Sequence, residues 1–407
     1  MAGDDRNTAL VGLASPGEHA QDGDPHGVAA ATFSAWDLLP DELVLTMLGA
    51  AGAASALAFS ATSRRHHRLA NDSALWRRLY ESRLGPLVHP DFVKHGKDWK
   101  WVYRACACDA RTVGVSVGRI PSTMSGAPAL YRGDLVDGVP HGYGLLAESA
   151  VLPDGATKQY EGDHVNGKMH GHGVYTWPDG HRHEGAYANG ERHGTGVCGG
   201  PSGERYEGDY ADGKRHGRGV YTWPNGHRYE GDYVNDARHG RGVYTRPNGE
   251  CYQGDYIDGK MHGRGVYTWA DGDRYEGDYV CGKRRGRGVF TGYNGYRYEG
   301  GYTNDKKHGR GSHKWPDGEG YEGDYVKDKM HGRGVYIWSS GQRHEGDYAG
   351  GRKHGHGLRL YPDGSSVGGR WIDGVLDGGI VVVAHATDAK SCSRCEACAA
   401  LRRLTNT

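Results

Sequence analysis

Residues 206–228 read Tyr206-Glu-Gly-Asp-Tyr-Ala-Asp-Gly-Lys-Arg-His-Gly-Arg-Gly-Val-Tyr-Thr-Trp-Pro-Asn-Gly-His-Arg228, and the same phrase opens again at Tyr229. Tyr229 and Tyr233 are separated by an even number of residues, which puts both rings on one face of a strand. Asp212-Gly213 is a two-residue hairpin signal, because both central residues of such a turn need positive φ. Pro224-Asn225-Gly226 supplies a second turn. One unit is therefore a hairpin plus a short connection to the next hairpin.

Working outward, units start at 160, 183, 206, 229, 252, 275, 298, 321, 344 and 367, a fixed period of 23 residues without insertion. The hairpin signal recurs at Asn166-Gly167, Asn189-Gly190 and Asp258-Gly259, and the second turn at Pro178-Asp179-Gly180. A longer unit begins at Tyr131 and the one at Val367 is degenerate, as the ends of a capped solenoid would be. Two strands per unit at about 4.8 Å spacing give roughly 10 Å per repeat, so the array should extend about 100 Å. Recurrent glycines such as Gly162, Gly171 and Gly173 are expected to make room for an aromatic ring from a neighbouring hairpin or to allow a tight bend.

Composition agrees with a thin sheet. Of 407 residues, 70 are Gly and 27 Tyr but only 4 Phe, so aromatic rings and not aliphatic bulk must carry the buried area. Fifty basic residues balance fifty acidic ones, which gives no global argument for nucleic acid. The first thirty residues lack the basic start and apolar core of a signal peptide, and no apolar run reaches membrane-spanning length, so an intracellular, cytoplasmic protein is expected. Cys198, Cys251 and Cys281 stand alone in different repeats, as reduced thiols would.

The N-terminal part is different. Residues 1–33 have no apolar period and read as a disordered leader. Leu39, Leu43 and Met47, with Val44 and Leu48, then recur at helical intervals, and Pro40, Asp41 and Glu42 suit a helix N-terminus. Helical stretches follow near 53–61, 64–70 and 73–80, the last capped by Asp72 or Ser73, with Trp76 and Leu79 facing inward. Trp99, Trp101, Val102 and Tyr103 form a last amphipathic piece expected to pack against these helices. The fold class is thus α+β and multidomain: a small helical module at 34–107, a linker at 108–130, an elongated single-layer antiparallel β-hairpin solenoid at 131–380, and a cysteine-containing tail at 381–407.

Two resemblances follow from these motifs. Tyr229-Glu230-Gly231 with His239-Gly240-Arg241-Gly242, recurring along 131–380, resembles the MORN repeat; Gln253, Arg285, His183 and His344 are mild departures. Leu39-Pro40-Asp41-Glu42-Leu43 with Leu75-Trp76-Arg77-Arg78-Leu79-Tyr80 is similar to an F-box. The combination resembles F-box/MORN proteins of large DNA viruses of amoebae, which would place the chain in a host cytoplasm. The F-box resemblance implies docking on a Skp-family adaptor of a cullin-RING ubiquitin ligase through Leu39, Pro40, Leu43, Leu75 and Trp76, with the array presenting a target protein. The rival is a membrane- or cytoskeleton-associated scaffold that uses only the array. MORN arrays also resemble those preceding lipid-kinase or SET-type domains, for which the 40 residues after Val367 are too few.

Catalytic and metal chemistry is weakly supported. The histidines at 170, 193, 216, 239, 262, 308, 331 and 354 sit in equivalent places about 10 Å apart, too far for shared zinc ligation at about 2 Å. The repeated Glu and Asp lack the single, differently tuned pair that acid–base catalysis needs. The Gly-x-Gly pairs lack the strand-to-helix context of a phosphate loop. No cofactor is expected. Cys392, Cys395 and Cys398 are weak metal candidates, with Cys106 or Cys108 as a fourth ligand. Lys214, Arg215 and Arg218 are candidates for contact with acidic phospholipid headgroups.

Overall fold

A computed structural model describes residues 35–85, 87, 91–149 and 157–382. The expected leader and Cys392, Cys395 and Cys398 lie outside them. The chain divides into two compact units, residues 1–79 and 80–407.

In the first unit, α1 (Asp41–Ala51), α2 (Ala53–Phe59), α3 (Arg64–Leu69) and the start of α4 (Ser73–Leu84) follow one another closely. Gly52, at φ 89°, accommodates the break between α1 and α2 that a Cβ-bearing residue would resist. Ser63 caps α3 by accepting the His66 N–H at 3.1 Å, and Asp72, not Ser73, caps α4 by accepting the Leu75 N–H at 2.9 Å. Val44 and Leu48 of α1, Ala56 and Phe59 of α2, Leu69 of α3, and Leu75, Trp76 and Leu79 of α4 form the interior. Phe59 stacks on His66 at 3.9 Å and meets Trp36 edge-on at 5.2 Å.

In the second unit, an open, elongated antiparallel sheet carries twenty-three strands among the described residues, each paired with its chain neighbours. Strands β1 (Val115–Met124), β2 (Ala127–Val136) and β3 (Val139–Glu148) open it. From β4 (Gln159–Val165) and β5 (Lys168–Thr176) the pattern is a seven-residue strand followed by a nine-residue one, down to β22 (Ser366–Ile372) and the closing β23 (Val375–Val382). The stretch 108–130, expected to be a linker, therefore contains β1 and the opening of β2. Residues 108–110 line the free edge of β1 through Arg119 N–H to Cys108 C=O at 2.8 Å and Ala110 N–H to Arg119 C=O at 3.1 Å, which protects it from stray pairing. The aromatic stretch at 99–103 lies in α5 (Trp99–Ala107), which packs on β1 and β2. Asp134 of β2 fastens it by accepting from Trp101 Nε1 at 2.6 Å and pairing with Lys97.

The repeat at β10 (Arg228–Val234) and β11 (Ala237–Thr245) shows how the phrase folds. Asn235 and Asp236, at φ 49° and 70°, form the two-residue turn, as Asn-Gly and Asp-Gly pairs such as Asn166-Gly167 and Asp258-Gly259 do elsewhere. Tyr229 faces Tyr244 and Gly231 faces Gly242 across the pair; the register then slips at Gly231/Asp232. Gly240, at φ 55°, sits in the bulge, and the Asp232 carboxylate accepts the Arg241 N–H at 3.0 Å. The first glycine of His-Gly-x-Gly and the Asp of Tyr-Glu-Gly-Asp are thus two halves of one bulge.

The Tyr229 ring lies over the paired glycines of its own hairpin, a correction to the expected neighbouring one. A Cβ on Gly242 would fall 2.4 Å from Tyr229 Oη, and one on Gly231 would fall 2.5 Å from Arg241 C=O. Tyr229 Oη donates to Asp232 C=O at 3.1 Å. Each first tyrosine also meets the second tyrosine of its own strand and of the next repeat edge-on: Tyr229 is 5.3 Å from Tyr233 and 5.3 Å from Tyr256. This ladder runs through the array, with His164, His183 and His344 taking tyrosine places. Trp371 closes it, 5.0 Å from His344. A single sheet can thereby bury aromatic area without a second layer.

Candidate functional site

The first unit presents an apolar surface. Leu38 is 80% exposed, and Leu43 and Met47, one turn apart on α1, are 52% and 46% exposed. Pro40 is exposed and Leu39 half-buried. Arg65 of α3 holds the corner that carries them. Its guanidinium pairs with Asp41 at 2.7 Å and donates to the carbonyls of Trp36 and Asp37 at 3.0 Å each, and to that of Leu39. Arg68 adds a 2.7 Å pair to the other Asp41 oxygen, and the Arg65 hydrogen bond is the leading cause that holds the Asp41 carboxyl below its usual pKa. Nothing in the phrase Ser63-Arg-Arg-His-His-Arg68 marks Arg65 for this task; only the fold reveals it.

Leu75 and Trp76 are fully buried, and Trp76 Nε1 donates to Ala70 C=O at 2.7 Å. They hold the helices together and have no surface with which to touch a partner, a correction to their assignment as adaptor contacts. Helical spacing alone cannot distinguish an interior stripe from a docking stripe.

In the array, one face carries the aromatic ladder with the cations that lie over its rings, such as Arg215, Arg238 and Arg284, and the other carries the arginine–glutamate pairs. The glutamates of the phrase pair with the arginine two residues earlier, as Arg228 does with Glu230 at 2.6 Å, and the aspartates serve the bulges, so the repeated carboxylates are structural. Arg215, a candidate headgroup contact, is folded onto the rings of Tyr206, Tyr221 and Tyr233 at 5.3–5.7 Å and paired with Asp236 at 3.0 Å, which removes it from that role. Arg218 remains exposed.

Burial perturbs several groups. It lowers the pKa of His164, His183 and His344 to about 4 and of His313 to about 3, which keeps these rings neutral. Both ring nitrogens of His344 are buried without hydrogen-bond partners, as a neutral ring tolerates better than a charged one. Burial also lowers Lys307 to about 8 and raises the Cys106 thiol to about 11, which disfavours the thiolate a metal would need. Among the described residues no group of three His, Cys, Asp or Glu side chains is placed to hold a metal ion. No helix among them is long and apolar enough to cross a membrane.

Comparison with known proteins supports both parts of the sequence reading. The MORN repeat family matches at 131–146, 160–182, 183–205, 206–228, 229–251, 252–274, 275–295, 298–320, 321–343 and 344–366, and the F-box-like family at 36–82. No curated protein sequence matches the chain. Among solved structures, the Drosophila melanogaster SAS-4 (dCPAP) TCP domain, in complex with a proline-rich motif of Ana2 (dSTIL), aligns at 9% identity over 43% of this chain and 86% of its own, with a TM-score of 0.25. A streptogramin B lyase aligns at 13% identity over 63% and 81%, with a TM-score of 0.14. Neither likeness is close enough to carry an argument.

Proposed function

We propose that this chain, which belongs to the MORN-repeat family, is a non-catalytic adaptor: its F-box-like helices dock on a Skp-family adaptor of a cullin-RING ubiquitin ligase, and its array holds a target protein. The observation that carries the reading is the exposed apolar surface of Leu38, Pro40, Leu43 and Met47, on a corner that Arg65 fixes in place. Leu43 and Met47 on α1 and Leu38 just before it face solvent while Leu48, Leu69, Leu75 and Leu79 of the same module are buried, a pattern that favours a partner surface. Ubiquitin transfer belongs to other subunits, and two binding surfaces on one chain act by raising the effective concentration of the target. A cytoplasmic location is part of this reading.

The test is co-purification of the full chain with a Skp-family protein. Replacing Leu39, Pro40 and Leu43 together by Ala removes anchors worth about 2 kcal/mol each, so recovery should fall by orders of magnitude while the circular-dichroism β signal stays. Equal recovery by both chains, or none by either, would refute the reading.

A second reading, acidic phospholipid as the partner of the array, has one observation in its favour: Arg218, Arg241 and Arg310, at equivalent places, have side chains 80–92% exposed. Each has a carboxylate within 3.9 Å, which makes the row zwitterionic and favours a protein surface. Binding to anionic vesicles equal to that of the target would reverse this order.

A further inference from the structure

Most repeats place a large side chain at the start of the turn between hairpins: Trp177, Trp223, Arg246, Trp269, Trp315, Trp338 and Tyr361. Two do not, and have Gly200 and Gly292 instead. Open cavities of about 460 Å³ and 350 Å³ lie at these two places. Their walls are equivalent positions four repeats apart: Arg192 and Arg284, Cys198 and Phe290, Glu204 and Tyr296, Tyr210 and Tyr302, Arg215 and Lys307. Each cavity opens beside the place where other repeats carry that large side chain. At Gly292 the ring of Tyr296 leans in, 5.7 Å from Phe290, with its hydroxyl held by Lys307. At Gly200 the Glu204 carboxylate and the His181 imidazole stand where a Cβ would go, and Cys198 stands where other repeats have Tyr221, Tyr244 and Tyr267.

We propose that the Gly200 slot is a docking site for a tryptophan side chain of a partner protein. The filled slots show what the place accepts. Trp223 lies 4.5 Å from Tyr221 of its own strand and 5.8 Å from Tyr244 of the next repeat. At Trp338 a cation of the next repeat, Lys353, sits 5.5 Å over the indole. The Gly200 slot keeps the next-repeat ring as Tyr221 and the next-repeat cation as Arg215, and adds Arg192. Arg192 lies over Tyr210 at 4.9 Å and Arg215 over Tyr221 at 5.3 Å, so an incoming indole would join rings already covered by a cation, an attraction stronger for indole than for other rings. Glu204 forms the floor. One of its oxygens pairs with His181 Nε2 at 2.7 Å, which holds the side chain in place.

This deepens the reading of the array as the target-holding part, and it is tested without the Skp-family adaptor, so the two ideas fail separately. Cys198 lines the slot and reports on it. The full chain is alkylated with iodoacetamide, with or without millimolar N-acetyl-tryptophanamide, and each cysteine is followed by mass spectrometry. The tryptophan probe should slow modification of Cys198 at least threefold, N-acetyl-leucinamide should not, and exposed Cys281 should react alike throughout. Arg192→Met should weaken the probe about tenfold and is compatible with folding, since Met169, Met261 and Met330 occupy its equivalent places. No protection in the natural chain, equal protection by the leucine probe, or unchanged protection in Arg192→Met would overturn the proposal.

Discussion

Replacing His183 and His344 by Tyr should make the array resistant to acid. Both histidines occupy places in the ladder that other repeats give to tyrosine, both are fully buried, and burial depresses both pKa values from 6.5 to about 4. Between pH 6.5 and 4 the unfolded chain therefore binds protons that the folded chain refuses, so stability falls as the pH falls through that window. At pH 5 the unfolded ring is 1.5 units below its pKa and the folded ring is still mostly neutral, which costs about 2 kcal/mol per site. Tyrosine does not titrate there, and the glycines that would lie under its ring are already present at Gly185 and Gly196 for position 183, and at Gly346 and Gly357 for position 344. Urea unfolding followed by circular dichroism should show the double variant gaining about 4 kcal/mol over the natural chain at pH 5 compared with any difference at pH 8. His164 and His313, also held neutral, leave a residual slope in the variant. Parallel stability curves for the two chains between pH 4 and 6.5 would show that the histidines are not buried in the ladder.

Tyr229→Ala should cost about 3–5 kcal/mol and Tyr229→Phe about 1 kcal/mol, because only the first empties the space over Gly231 and Gly242; equal losses would contradict the ring-over-glycine packing. Gly242→Val places a side chain where the Tyr229 ring sits, and its thermal midpoint should fall well below that of a surface change such as Arg241→Val. Arg65→Ala removes the ties to the Trp36, Asp37 and Leu39 carbonyls and to Asp41, and should lower both the stability of the helical unit, by about 1–3 kcal/mol, and its affinity for a Skp-family protein; a stable variant that binds normally would detach Arg65 from the surface.

The array was legible because its determinants are local. Tyrosine over glycine, aspartate on the bulge and a positive-φ pair at the turn all lie within one 23-residue phrase, and the spacing repeats them in register. The opening β1 escaped because Val115–Met124 contains none of these residues in phrase order, so its strand character depends on pairing with β2. The destination of α5 likewise depends on Asp134, 33 residues beyond Trp101. Among the site residues, Pro40 and Leu43 are exposed and Leu39 is half-buried, whereas Leu75 and Trp76 are buried, because a leucine or tryptophan at helical spacing serves a core or a partner equally well. Gly200 and Gly292 break the phrase, yet the cavities beside them escaped the sequence because they depend on side chains from two successive repeats.

The central claim is that the surface fixed by Arg65 binds a Skp-family adaptor, and calorimetric titration of the full chain with that protein tests it most directly. The account predicts a one-to-one complex whose Kd rises at least 100-fold, about 2.7 kcal/mol, in the Leu39→Ala, Pro40→Ala, Leu43→Ala variant with no loss of array stability. A natural chain that gives no binding heat at several temperatures, or a variant with the same Kd, would contradict it.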